Sequence, residues 1–275
     1  MADLAGAKIV LLEARMNSEL ANLVRRHGGE PISVPAVREV TLDCSEEVAA
    51  LIDRLSSGAI DFIVFQTGVG VLTLLSEAEK LKRKEELIDA LRQTTIIARG
   101  PKPTAVLSRN SLKPNVAARE PFTTADLIAA LEPLELTNKN VAVLHYGERN
   151  AALAESLAAR GARLQELCLY EWLLPEDTTR LRQLIDEIIH QDFTAIAFTS
   201  QIQARHLFQL AEAAGQAEAL RNALNDGLVV ASVGPTCTSV LQTLGVRVRV
   251  EPESPKMGPM VLALAGYLEQ RPPIH

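Results

Sequence analysis

The sequence predicts an α/β chain made of two doubly wound parallel-sheet units. Three observations lead there: short apolar runs alternate with longer amphipathic ones, the whole pattern occurs twice, and glycines and prolines recur at matching places in both copies. A shift of about 133 residues superimposes the halves. It lays KIVLLEA around Ile9 on NVAVLHY around Val141, Gly28 on Gly161, and Phe65-Gln66-Thr67 on Phe198-Thr199-Ser200. It also lays Gly100-Pro101 on Gly234-Pro235, Thr104 on Thr238 and Pro121 on Pro255. Single identities are weak, but the ordered series is consistent.

In chain order, the first half offers strands at Ile9–Leu12, Ile32–Val34, Phe62–Phe65, Thr95–Ala98 and Val116–Ala118. The second offers Val141–Leu144, Leu164–Tyr170, Ala195–Phe198, Val229–Val233 and Val246–Val250. Helical stretches lie between them. In NSELANLVRRHG, for example, Leu20, Leu23 and Val24 share a face and Gly28 ends the helix. Strands alternating with helices give a parallel sheet covered on both faces. Five strands per half suggest two flavodoxin-like units. A plain tandem would divide near Thr137. Two segments, PISVPAVREVTL and RLQELCLYEWLLP, are long enough to pass from one domain into the next, with Pro35 and Pro175 as candidate crossing points.

The chain has 275 residues, enough for two ordinary cores, and is 47% hydrophobic and 23% charged, which excludes a disordered protein. The apolar run Ile9–Leu12 is too short for an export signal, and no run reaches the roughly 20 residues of a membrane span. Three scattered cysteines (Cys44, Cys168, Cys237) fit a reducing compartment rather than a disulfide framework or zinc site. A cytoplasmic protein is therefore expected. The formal charge of −6 and the lack of a basic run speak against a nucleic-acid partner. Any anion site has to be built locally.

Ligands of doubly wound sheets bind where strands end and helices begin, because helix N-termini offer unpaired N–H groups and partial positive charge. Four such junctions are rich in small and hydroxyl residues: Gln66 to Gly70, Gly100 to Thr104, Thr199 to Gln201, and Gly234 to Thr238. Helix capping by Ser and Thr explains each one alone; their recurrence favours a binding site. Phosphate-loop and dinucleotide fingerprints are absent, and the histidines lack metal-ligand spacing. His27 and His206 read as surface groups, whereas His145 ends a strand on the expected ligand side. Cys237 at a helix N-terminus is either an activated thiol or a small buried residue. Tyr170 and Trp172 alternate onto one side of the second crossing segment; the choice is between hinge packing and a proton donor.

Several of these features together resemble the uroporphyrinogen-III synthase family. They are the tyrosine of LCLYEWLLP, then AIAFTSQIQARHLF, then VVASVGPTCTSVLQTLGVRVRVEPESPKMGPMVLAL, with Arg15 and Pro35 early in the chain. The resemblance implies two flavodoxin-like domains joined by a two-stranded crossover with a cleft between them. One domain is residues 1–37 plus 173–275 and the other 38–172. It implies a monomer without metal or other cofactor. The substrate is hydroxymethylbilane, a polycarboxylate linear tetrapyrrole, which loses its hydroxyl and closes through a spiro intermediate with the last pyrrole ring inverted. Matched to the family pattern, Tyr170 assists departure of the hydroxyl. Arg15, Thr67, Gly68, Thr199, Ser200, Gln201, Gly234 and Thr236 hold substrate, and Lys102, outside the pattern, adds a charge that either pairs with a substrate carboxylate or is solvated surface. The chain departs from the family pattern at Gln66, where a threonine is usual, and in the Lys102 loop. The alternatives are a non-catalytic two-domain sensor of tetrapyrroles or small ligands, and a family member that only binds tetrapyrroles.

Overall fold

The computed structural model describes residues 3–145, 147–190 and 192–270. Its elements begin β1 (Lys8–Leu11), α1 (Asn17–Arg26), β2 (Glu30–Ser33), β3 (Arg38–Thr41), α2 (Ser45–Ser56), β4 (Phe62–Phe65), α3 (Gly68–Lys80) and α4 (Lys84–Gln93). They continue β5 (Thr95–Ala98), α5 (Pro101–Arg109), β6 (Val116–Ala117), α6 (Thr124–Leu131), β7 (Asn140–Leu144), α7 (Ala151–Ala159), β8 (Arg163–Leu167) and β9 (Tyr170–Leu173). The remainder is α8 (Thr179–Ile189), β10 (Ala195–Phe198), α9 (Gln201–Ala213), α10 (Ala217–Asn222), β11 (Val229–Ser232), α11 (Pro235–Thr243) and α12 (Met257–Glu269). The chain divides into two compact units, Met1–Arg38 with Leu173–His275, and Glu39–Trp172.

In the first unit the strands lie in the order β11-β10-β1-β2, all parallel. An isolated parallel bridge, Ala231 to Val250, adds a fifth position beyond β11. Counted along the chain this is the two-one-three-four-five order of flavodoxin-like sheets. Side chains alternate between two cores. Val10, Ile196, Phe198 and Val230 pack with residues of α8, α9 and α11, while Ile9, Leu11, Ala195, Ala197 and Val229 pack with residues of α1 and α12. The continuous apolar runs AIAF and VVAS exist because both faces are covered.

The second unit has five parallel strands in the order β6-β5-β4-β7-β8. Ile63, Phe65, Ile96, Ala98 and Leu144 face α2, α3, α4 and α5; Val64, Ile97, Val141 and Val143 face α6 and α7. In chain order these strands read three-two-one-four-five. Counted from β7, where the internal repeat begins, they read two-one-three-four-five, as in the first unit. The second unit is thus a circular permutation of the same sheet.

Where the chain passes between units, β3 and β9 pair as a two-stranded sheet, extended by Leu42 N–H donating to Leu169 O at 3.2 Å. This corrects two strand assignments. The run Leu164–Tyr170 is not one strand, because β8 belongs to the five-stranded sheet and β9 to the crossover pair. Val246–Val250 contributes only its last residue to a bridge. His206 is likewise not a surface group. It is buried on α9, and its Nδ1 donates to Ala36 O at 2.7 Å, anchoring the segment before the first crossing.

Gly147 follows β7 in the left-handed region at φ 73°, and a Cβ there would stand 2.4 Å from the Trp172 ring. Gly147→Ala is expected to destabilise the protein by about 2–4 kcal/mol through backbone strain and overpacking. Urea unfolding followed by emission of Trp172, the chain's single tryptophan, measures this directly.

Candidate functional site

Parallel strands bring all carboxyl ends of a sheet to one edge, and ligands favour the switch point where successive connections diverge. That point lies between β1 and β10 in the first unit and between β7 and β4 in the second. Each has a polar cluster built from loops distant in sequence.

In the first unit, Thr199 ends β10 and its hydroxyl donates a short hydrogen bond to Glu13 Oε2 at the end of β1. Gln203 Nε2 donates to Thr199 Oγ1 at 2.8 Å, and Gln203 Oε1 accepts from the backbone N–H of Thr199 at 2.8 Å. Glu13 Oε1 accepts from Met16 N–H at 3.2 Å. Arg15 is exposed in the same turn. Ser200 is half-buried ahead of α9, and Gln201, the first residue of that helix, is buried. On the neighbouring strand end, Gly234 is buried against Pro255, where a Cβ would come within 2.8 Å. Thr236 is exposed on the first turn of α11, and Thr238 donates a short hydrogen bond to Glu251. The first-unit strand ends therefore carry two of the chain's own carboxylates on threonine hydroxyls. Cys237 between them is buried, and desolvation pushes its thiol up to about 12, so it is a small core residue rather than an activated thiol.

In the second unit, Thr67 caps α3 by accepting from Gly70 N–H at 3.0 Å, and its Oγ1 lies 2.9 Å from the Tyr170 hydroxyl. Tyr170 is 1% exposed and packs edge-on to Trp172 with ring centroids 6.0 Å apart. A Cβ on Gly68 would sit 3.0 Å from Lys102 O, so the turns opening α3 and α5 are in close contact. The Lys102 side chain is exposed. Of the residues singled out by sequence, Thr67 and Tyr170 meet directly and Gly68 meets the Lys102 backbone.

A third cluster joins Gln66 and His145, both noted in the sequence, to Asn150, Arg149 and Glu166, which were not. Gln66 is 1% exposed; its Nε2 donates to Leu144 O at 3.2 Å and lies 3.3 Å from His145 Nδ1. Its Oε1 accepts from Asn150 Nδ2 at 2.7 Å. His145 Nδ1 also accepts from Asn150 N–H at 3.1 Å, so the ring proton is on Nε2, which donates to Glu166 Oε2 at 2.8 Å. Arg149 grips the same carboxylate at 2.8–2.9 Å. Burial holds the His145 imidazole below its ordinary value, overriding the upward pull of Glu166. Burial alone would raise Glu166, but Arg149 and His145 bonds hold it below the usual carboxylate range. The repeat carried a signal for this cluster: it aligns Glu13 with His145 and Thr199 with Gln66, and within each unit the two positions meet, Glu13 with Thr199 in the first and His145 with Gln66 in the second.

The fold and these clusters define a class: a two-unit α/β protein that presents hydroxyl, amide and backbone N–H groups at the switch points of its sheets. Among the described residues no helix is long and apolar enough to cross a membrane, and no group of His, Cys, Asp and Glu is arranged to hold a metal ion. The model of the family described as uroporphyrinogen-III synthase HemD matches residues 18–261, so the chain belongs to that family. It is 30% identical to the uncharacterized protein YjjA of Bacillus subtilis, over 98% of each chain. It is 25% identical to a putative uroporphyrinogen-III synthase of Methanothermobacter thermautotrophicus, covering 90% of this chain and 93% of that one. The crystal structure of a mutant uroporphyrinogen III synthase from Thermus thermophilus shares the fold, with a TM-score of 0.78 at 24% identity over 96% of this chain and 100% of that one.

The lowered His145 value gives a pH dependence with a definite sign. The unfolded chain takes up this proton near pH 6.5 and the folded chain only below that. Stability from the neutral buried ring is thus complete above pH 6.5 and is lost as pH falls through the folded value. Glu166 adds a second loss below pH 4.5. Urea midpoints measured across pH 4–7 are expected to decline in that order, and His145→Gln to flatten the first step.

Proposed function

We propose that this protein is an active uroporphyrinogen-III synthase, closing hydroxymethylbilane with inversion of its last pyrrole ring. The family match running through both units carries this reading. We further propose that it works as a cytoplasmic monomer without metal or other cofactor, and without a nucleic-acid or membrane partner. The task is chiefly one of orientation: a flexible chain must be held so that one ring carbon, not its neighbour, is attacked. Backbone N–H groups and hydroxyls at strand ends suit that task. In the second unit Thr67, Gly68 and exposed Lys102 supply contacts to substrate carboxylates. In the first unit Arg15, Ser200, Gln201, Gly234 and Thr236 do so, and Thr199 does so by exchanging its bond to Glu13 for one to the substrate.

For departure of the hydroxyl, the C–O bond breaks as a proton reaches the oxygen, and water leaves. Tyr170 supplies that proton through the Thr67 hydroxyl, 2.9 Å away. The pyrrole N–H then returns a proton to the tyrosinate as the azafulvene forms, so protons balance. What supports this route is the direct pairing of the two residues at the switch point.

Tyr170→Phe is expected to lower kcat about 100-fold and to cost only about 1 kcal/mol of stability. Lys102→Ala is expected to raise KM several-fold and to weaken the salt dependence of KM, because an exposed cation acts mainly by steering. The overall reading is checked with freshly generated hydroxymethylbilane, oxidation of the products and chromatographic separation of porphyrin isomers. Predominant isomer III supports a synthase. Isomer I alone, at the rate without protein, would leave a tetrapyrrole-binding protein.

A further inference from the structure

The Gln66 cluster is costly for a sheet centre. A buried primary amide without partners costs a few kcal/mol, and an apolar side chain of similar size would fill the space at no such cost. Here the amide is satisfied on both ends, by Leu144 O and by Asn150 Nδ2. Asn150 is held in turn by Thr124 Oγ1 at 3.0 Å, and its Oδ1 accepts from Leu153 N–H at 3.3 Å at the start of α7. Fully satisfied buried networks fix one geometry rather than adding much stability.

What this network fixes is visible by comparing the units. At the equivalent place in the first unit stands Thr199, whose hydroxyl is directed at Glu13. In the second unit Gln66 takes that place and ties β4 to the loop after β7, while the next hydroxyl, Ser200 in the first unit, is kept as Thr67. Gln66 and Thr67 share a peptide, so the β7 loop sets where Thr67 Oγ1 stands. That loop also carries Gly147, against which Trp172 packs, and Trp172 contacts Tyr170.

We propose that Gln66 and His145 are positioning residues of the reaction, holding the Gln66–Thr67 peptide so that Thr67 Oγ1 stays on the Tyr170 hydroxyl. This rests on the synthase reading above. Neither residue touches the substrate; both act through Thr67 and Tyr170.

The test is a double-mutant cycle on the full chain. Gln66→Met keeps the volume and removes the amide. The expected result is a kcat at least 10-fold lower with KM within twofold, and an altered Trp172 emission spectrum. In a Tyr170→Phe background the same change is expected to cost less than twofold, because its effect runs through the hydroxyl already removed. His145→Leu, which removes the bonds to Asn150 and Glu166, is the second variant should Gln66→Met fail to fold, and is expected to show the same non-additivity. A wild-type kcat in either folded variant, or a full 10-fold loss that adds to that of Tyr170→Phe, overturns the positioning role while leaving the synthase reading intact. A wild-type protein giving only isomer I overturns both.

Discussion

The ladder between the first and third strands of each sheet is the constraint on which the structure depends. In the first unit it pairs Ile9 with Ala195 and Leu11 with Ala197; in the second it pairs Phe62 with Val141 and Phe65 with Leu144. Every one of these residues but Phe62 is buried, so the register is set by two hydrophobic faces at once, and a slip of one residue would exchange them. The ladder also determines which loops meet. Glu13 reaches Thr199, and His145 reaches Gln66, because the strands that carry them are neighbours.

The two units have used the same place differently. The first keeps its hydroxyl at the strand end and saturates it with a carboxylate of its own. The second buries an amide there and presents the hydroxyl one residue later, to a tyrosine. Charges differ too: at the second unit's strand ends Arg149 pairs with Glu166 and Lys102 is exposed, whereas at the first unit's Glu13 and Glu251 lie on threonine hydroxyls.

Much of the fold was legible in the sequence. Phe62–Phe65, Thr95–Ala98 and Ala195–Phe198 are strands to the residue, because short apolar runs between polar turns leave no other buried extended segment available. β3 was not legible: REVT has no apolar face and becomes a strand only through its partner β9. The break after Leu167 was hidden for the same reason, since two sheets share one apolar stretch. At the site, Thr67 and Tyr170 were marked out by pattern and resemblance, but their contact could not be read. Gln66 read as a departure from the family pattern, because a polar side chain at a strand end looks exposed until the opposite loop is in place. Glu13 carried no chemical motif, and only its alignment with His145 marked it.

The order in which the strands are made differs from the order in which they pair. The whole of Glu39–Trp172 is synthesised between β2 and β10. At ~5–20 residues per second, roughly 10–30 s separate the emergence of those two strands from the ribosome. During that interval the second unit has all its strands and can close. β1 and β2 form only a two-stranded fragment, which is marginal in water, with Ile9, Val10 and Leu11 not yet covered by β10 and its helices. Until β10 and its helices emerge, this segment lacks the cover that Val10 later finds against α8 and α9. A translation product interrupted before β10 would carry one finished domain tethered to an apolar, unpaired remnant of the other.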